Sequence, residues 1–378
     1  MVYLDYSATT PVLPEVLDSY NKVTEEYFGN PNSLHSLGIK AHELLESANK
    51  QVSELLNIKE DEFFYTSGAT ESNNLAIIGA ALTYKRYGNR ILVSTMEHPS
   101  IYGICKHLEK LGFIIDYVNV TNEGVIDFDD LKNKVTKDTI LVSICAVNSE
   151  VGARQPLKTV RQVIRKNNEN CILHSDMTQA IGKVNINVND VDLATISSHK
   201  IYGPKGIGLL YKTRGLVLTP LLYGHDDSLV PGTPPLPLIV SFAKALRLAL
   251  KDINKKEETV KKYYDKIVEH MGNYPRIVIN SSKYCIPHIL NISFKNIKAE
   301  TFLHALEEYE IYVSTNTACA SGELSTSVMA LYNDRKRASS TLRISLSYVT
   351  TTDEINRFLG CFKMVYQRLS VLSRENKE

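Results

Sequence analysis

Ser197-Ser198-His199-Lys200-Ile201-Tyr202-Gly203-Pro204-Lys205-Gly206 places a lysine at the end of an apolar run, DLATIS, between hydroxyls, a histidine and a glycine turn. A lysine amine is a weak nucleophile at its ordinary pKa, so a catalytic one needs desolvation or a neighbouring group to lower its proton affinity. Such a setting suits a Schiff base to pyridoxal 5'-phosphate (PLP). Taken alone, an exposed lysine after a strand is the commoner occurrence.

Other residues point to the same chemistry. In Thr66-Ser67-Gly68-Ala69-Thr70-Glu71-Ser72-Asn73-Asn74 a strand meets a glycine turn and then a helix. Its first N–H groups, at Ala69 and Thr70, would receive an anion such as a phosphate, to which Thr70 adds a hydroxyl. Ordinary helix capping explains the pattern equally well. Asp176 ends the run CILHS and precedes Thr178 and Gln179. Its carboxylate could face a protonated pyridine nitrogen, with Gln179 at the ring hydroxyl, although a turn or cap role is the usual one for such an aspartate. His98, after ILVSTM, could stack on an aromatic cofactor and pass a proton. Asn148, after LVSICAV, could donate to the ring oxygen.

These residues fall at the ends of successive apolar, β-branched runs: FFYTSG, ILVST, FIIDYVNV, TILVSICAV, CILHSD, DLATISS and IGLLY, with helical stretches between the first five. The alternation predicts an α/β fold with a mainly parallel sheet covered by helices, whose ligands sit at the carboxyl ends of the strands. After the Gly/Pro-rich YGHDDSLVPGTPPLP, one long amphipathic helix is expected from Leu238 to Met271. The strands RIVINSS, HILNISF, YVSTNTA and TLRISLS then suggest a smaller α+β unit. The expected division is a large domain at 15–250 and a small one at 251–378, on which residues 1–14 pack. A length of 378 residues agrees with more than one core.

Forty-three basic against forty-two acidic side chains leave a net charge of +1, which offers no footprint for nucleic acid or an anionic membrane. Six cysteines (105, 145, 171, 285, 319 and 361) lack disulfide or zinc spacing, so a reduced cytoplasm and no metal are expected. The amino terminus reads as no targeting signal, and no run approaches the about 20 apolar residues that span a bilayer.

The motifs YLDYSATTP, FGNPNSLHSLG, YTSGATESNNLAI, MEHPS, VNSEVG, HSDMTQAIGK, SSHKIYGPKGIG, ACASG and LRISL resemble those of the cysteine desulfurases, and the likeness covers nearly the whole chain. The resemblance implies a fold type I PLP enzyme with the cofactor on Lys200, His98 stacked on the ring, Asp176 at its nitrogen and Asn148 and Gln179 at its oxygen. Thr70, Ser197 and His199 would hold the phosphate, and Thr233 would serve the neighbouring subunit of a homodimer. Cys319, among small residues, would take the sulfur of L-cysteine as a persulfide and pass it to an acceptor protein, as in iron-sulfur cluster assembly. Arg343, alternating with Leu342 and Ile344, would hold the substrate carboxylate, with Asn148 beside it. Selenocysteine lyase, cysteine sulfinate desulfinase and a weakly active PLP-binding scaffold are the rival readings; an aminotransferase has no use for Cys319. Three stretches depart from the family pattern: Asp226-Asp227 where arginines are usual, Ser347-Tyr348 in place of Gly-Arg, and Thr315-Asn316-Thr317 in place of Ser-Gly-Ser.

Overall fold

Apolar, β-branched runs bounded by polar turns become the strands, and the amphipathic runs between them become helices. The computed structural model describes residues 1–224, 228–315 and 324–375. It begins with a short strand, β1 (Val2–Tyr3), and two helices, α1 (Pro14–Glu26) and α2 (Ser36–Leu56). The large sheet and its helices follow: β2 (Phe63–Thr66), α3 (Ala69–Tyr84), β3 (Arg90–Ser94), α4 (Pro99–Lys110), β4 (Ile114–Val118), α5 (Phe128–Lys134), β5 (Thr139–Ser143), α6 (Leu157–Asn167), β6 (Ile172–Asp176), β7 (Leu193–Ser197) and β8 (Gly208–Lys212).

The strand order is β2-β8-β7-β6-β5-β3-β4. From β7 to β4 every pair is parallel, whereas β8 runs antiparallel to both β7 and β2. The reversal follows from chain length: only residues 198–207 join β7 to β8, too few for the crossover that a parallel pair needs. Alternate residues face opposite layers. Leu92, Val142, Leu173 and Ala194 share one core with Val160 and Ile164 of α6, while Ile91, Val93, Leu141 and Ile172 pack with Leu75 of α3 and Ile104 of α4. Because both faces are covered, the strands read as nearly continuous apolar runs.

The long helix expected over 238–271 is two helices, α7 (Leu236–Leu250) and α8 (Ile253–Met271). The break falls at Asp252, whose φ of 53° is left-handed, a conformation that aspartate tolerates better than most residues. Its cause is tertiary. Phe242, Leu246 and Ala249 of α7 belong to the large-sheet core, but Val260, Ile267 and Met271 of α8 belong to a second core. One straight helix could not serve both.

The remaining elements are β9 (Ile277–Ile279), β10 (Ile289–Phe294), α9 (Ala299–Glu307), β11 (Ile311–Tyr312), β12 (Ser314–Thr315), α10 (Thr326–Tyr332), α11 (Arg335–Ala338), β13 (Thr341–Ser345) and α12 (Thr352–Glu375). β10, α9, β11, β13 and α12 supply the second core, whereas Val328 and Leu331 of α10 and Ala338 of α11 pack with Met96, Val151 and Ala153. An antiparallel sheet in the order β12-β13-β10-β9 forms the floor of the second core. The described part of the run YVSTNTA, residues 312–315, is split between β11 and β12, and β11 pairs in parallel with β1. Val2 and Leu4 are buried in this second core. The chain then passes to the large sheet, where the Thr10 N–H donates to the His199 carbonyl (3.0 Å) and the Leu13 N–H to that of Tyr202 (3.1 Å). Residues 5–10 therefore run past Lys200.

Candidate active site

A cavity of about 480 Å³ opens at the carboxyl ends of β3, β5, β6 and β7, as the α/β pattern anticipates. One end is formed by the start of α3. Gly68, with φ of 153°, turns the chain there, and no side chain caps the helix, whose first bond runs from the Ser72 N–H to the Gly68 carbonyl. The first-turn amides at Ala69 and Thr70 are thereby left for a ligand in the cavity they line. Close packing requires glycine on the adjoining strand as well: a Cβ on Gly208 would lie 2.8 Å from the Gly68 Cα. Ser197, His199 and Lys205 line the cavity too. The His199 Nδ1 pairs with the Thr9 hydroxyl at 3.1 Å, and burial, then Lys200, Lys205 and Lys183, push its pKa down to about 4. His199 is thus a neutral polar group near neutral pH.

Lys200 sits in the turn after β7, where its Nζ donates to the carbonyl oxygens of Ser7 (2.6 Å) and Ala8. On the adjacent strand end, the Asp176 carboxylate is buried. Its Oδ2 accepts from Asn73 Nδ2 and its Oδ1 from the Thr178 N–H, both at 2.9 Å. The Thr178 Oγ1 is buried without a partner among the described residues, and Thr178 lines the cavity. Gln179 lines it as well and donates from Nε2 to the Ser7 carbonyl at 2.9 Å.

His98 caps α4. Its Nδ1 accepts the Ser100 N–H at 3.2 Å, so the neutral ring carries its proton on Nε2. Burial lowers its pKa; Asp176 opposes that and Lys200 adds to it. Arg343 lines the same cavity from β13, every residue of which is buried. Its Nη1 donates to the Ser149 carbonyl (3.0 Å) and its Nη2 to Asp5 Oδ1 (2.9 Å), while Nε has no partner among the described residues. Alternating with Leu342 and Ile344, Arg343 thus lies on an interior face of β13.

Two candidates lie elsewhere. Asn148 does not line the cavity: its Nδ2 donates to the Met96 carbonyl (3.0 Å) and Ser327 Oγ (2.9 Å), and its Oδ1 accepts from the N–H groups of Glu150 and Val151. All four hydrogen-bonding positions of the amide are occupied within the protein, while its neighbours Val147 and Ser149 line the cavity. Asn148 ties the turn after β5 to α10. Thr233 is exposed and lines a separate groove with Phe64, Tyr65 and Pro231, which shares Ser67 and Gly206 with the cavity. Cys319, Asp226 and Asp227 lie outside the described residues.

Sequence reasoning also passed over several participants. Ser7, Ala8 and Thr9 line the cavity, within a motif to whose residues no role had been given. Glu97, next to His98 in the chain, is buried, with Oε1 accepting from Ser94 Oγ and the Cys145 N–H (2.7 Å each) and Oε2 without a partner among the described residues; burial pushes its pKa up to about 8. Lys183 is buried beside Gln179, and burial pulls its pKa down to about 7. Nothing local marks either residue as buried.

The donor set fits PLP: unpaired amides at a helix start for a phosphate, a lysine amine, a buried carboxylate for a pyridine nitrogen, and the orphaned Thr178 hydroxyl within the same cavity. Comparison with known proteins points the same way. Residues 2–358 match the family described as aminotransferase class-V. The chain is 39% identical over 382 residues to a NifS/IcsS protein homolog of Lactobacillus delbrueckii subsp. bulgaricus, covering 99% of each chain. It is 35% identical over 380 residues to cysteine desulfurase IscS 1 of Archaeoglobus fulgidus, again covering 99% of each. A solved NifS-like protein superposes with a TM-score of 0.91 at 34% identity, over 98% of this chain and 99% of that one.

Proposed function

The chain belongs to the cysteine desulfurases of the aminotransferase class-V family, with a fold type I architecture, and from that premise we propose how its residues perform the reaction. The overall change is L-cysteine plus the Cys319 thiol giving L-alanine plus a Cys319 persulfide, which balances without an external oxidant. PLP, held covalently by Lys200, supplies an electron sink for the substrate α-carbon. Amides at Ala69 and Thr70, with Ser197 and the neutral His199, hold its phosphate, and the Asp176 carboxylate holds its ring nitrogen. Gln179 addresses the ring oxygen. Arg343 orients the substrate carboxylate, while the Lys200 amine and His98 Nε2 move the α-proton. The Cys319 thiolate attacks the substrate sulfur; the carbon–sulfur bond breaks with its electron pair going to carbon, which a proton then completes as alanine.

The observation that supports this reading best is the convergence of Lys200, Asp176, His98 and an uncapped helix start on one cavity. Thr233, exposed in a groove adjoining that cavity, supports its use by a second copy of the chain in a homodimer, which light scattering would test. A sulfur-acceptor protein and a cytoplasmic location complete the proposal; no helix among the described residues is long and apolar enough to cross a membrane. The purified protein should show the visible band of lysine-bound PLP and release alanine and sulfide equally from L-cysteine with dithiothreitol. Parallel assays with L-selenocysteine and L-cysteine sulfinate should give lower turnover. An unchanged band in Lys200→Ala, or no alanine from L-cysteine, would overturn the assignment.

A further inference from the structure

Lys183 takes no part in the chemistry above, yet it lies against the site. Gly182, with φ of 75°, turns the chain so that Lys183 comes back beneath Gln179; a Cβ there would meet the Ala249 Cβ at 2.7 Å. The Lys183 Nζ donates to Gln179 Oε1 at 2.8 Å, and Gln179 Nε2 donates to the Ser7 carbonyl at 2.9 Å. The Ser7 carbonyl fixes the amide orientation: it can only accept, so the NH2 faces Ser7 and the amide oxygen is left to accept from the Lys183 amine. The second N–H of that NH2 is the one with which Gln179 can address a ligand oxygen.

The charges acting on Lys183 are those of Lys200, from the turn after β7, and Arg343, from β13; both are positive. His199, from the same turn as Lys200, and His288, just before β10, feel Lys183 in return, and burial keeps both neutral, with pKa values pushed down to about 4 and about 3. Lys200 shares the Ser7 carbonyl with Gln179. We infer that Lys183 is a positioning residue: its amine holds Gln179 with the donor edge toward the cavity, beside the Ser7 carbonyl that Gln179 shares with Lys200. The inference rests on the reading that PLP is held on Lys200.

The test uses the PLP-loaded protein. Lys183→Met should weaken PLP binding about tenfold, the loss of one hydrogen-bonded contact. It should also raise the midpoint of the pH titration of the visible band by about half to one pH unit, because removing a nearby cation favours the protonated form. Lys183→Arg, which keeps a cationic donor, should hold both values near wild type. A folded Lys183→Met with unchanged affinity and midpoint would overturn the inference. So would a Lys183→Arg midpoint moved as far as a full unit, which carries the test should the Met variant not fold. Wild-type protein that binds no PLP, or a Lys200→Ala variant that keeps the band, would instead overturn the underlying reading, and the inference with it.

Discussion

Arg343 provides a quantitative test, because the structure separates two jobs it could do. It holds Asp5 and the Ser149 carbonyl, tying the N-terminal segment to β13, and it lines the cavity in which a carboxylate would bind. Arg343→Met removes both. Losing the two structural bonds should lower stability by about 2–4 kcal/mol, at the softer end because the Asp5 side chain is 20% exposed and can be hydrated. Losing a forked contact to the substrate, at about 1.5 kcal/mol for each of two charge-assisted bonds, should lower kcat/KM for L-cysteine by about 150-fold. Asp5→Asn separates the roles: it keeps an oxygen for Nη2 but drops the charge, so stability should fall modestly and kcat/KM by no more than about threefold. The assays are thermal melting and alanine formation under saturating PLP. Equal losses of kcat/KM in the two variants would show that Arg343 acts only by anchoring the N-terminal segment, and the substrate role would fall.

Two further outcomes follow from the same residues. Cys319→Ser should keep the visible PLP band but release no sulfide from L-cysteine with dithiothreitol; undiminished release would remove Cys319 from the mechanism. Glu97 keeps its proton to about pH 8 in the folded chain, whereas an unfolded glutamate releases it near 4.5. The cost linked to its ionisation is therefore absent in acid, and stability is lost as pH rises from about 4.5 to 8. Glu97→Gln, which resembles the protonated form, should melt close to wild type at pH 5 and gain on the order of 4 kcal/mol over it at pH 9. A gap that does not widen with pH would refute this account of Glu97.

The strands and several residues that line the cavity were legible in the sequence because their signals are local. A strand end followed by a glycine turn is written in consecutive residues, and in a mainly parallel sheet such ends collect at one edge. That reasoning brings Thr70, His98, Asp176 and Lys200 together without coordinates, and the structure has them lining one cavity. Asn148 carries the same local signal, after β5, but its amide is engaged by the turn it occupies and by Ser327 of α10, 179 residues away. Helix periodicity likewise runs unbroken from α7 to α8, and only the assignment of their apolar stripes to different cores forces the break at Asp252.

By itself, then, the sequence determined the alternation of strands and helices in the large sheet, the chemistry each strand end could offer and the family to which they belong. Tertiary structure decided which polar groups lose water and which oxygen or nitrogen each one faces. The buried states of Glu97 and Lys183, the orientation of Gln179, and the pairing of Arg343 with Asp5 across 338 residues are of that kind. Desolvation and hydrogen-bond direction depend on everything packed around a group, and chain neighbours supply only a small part of that shell.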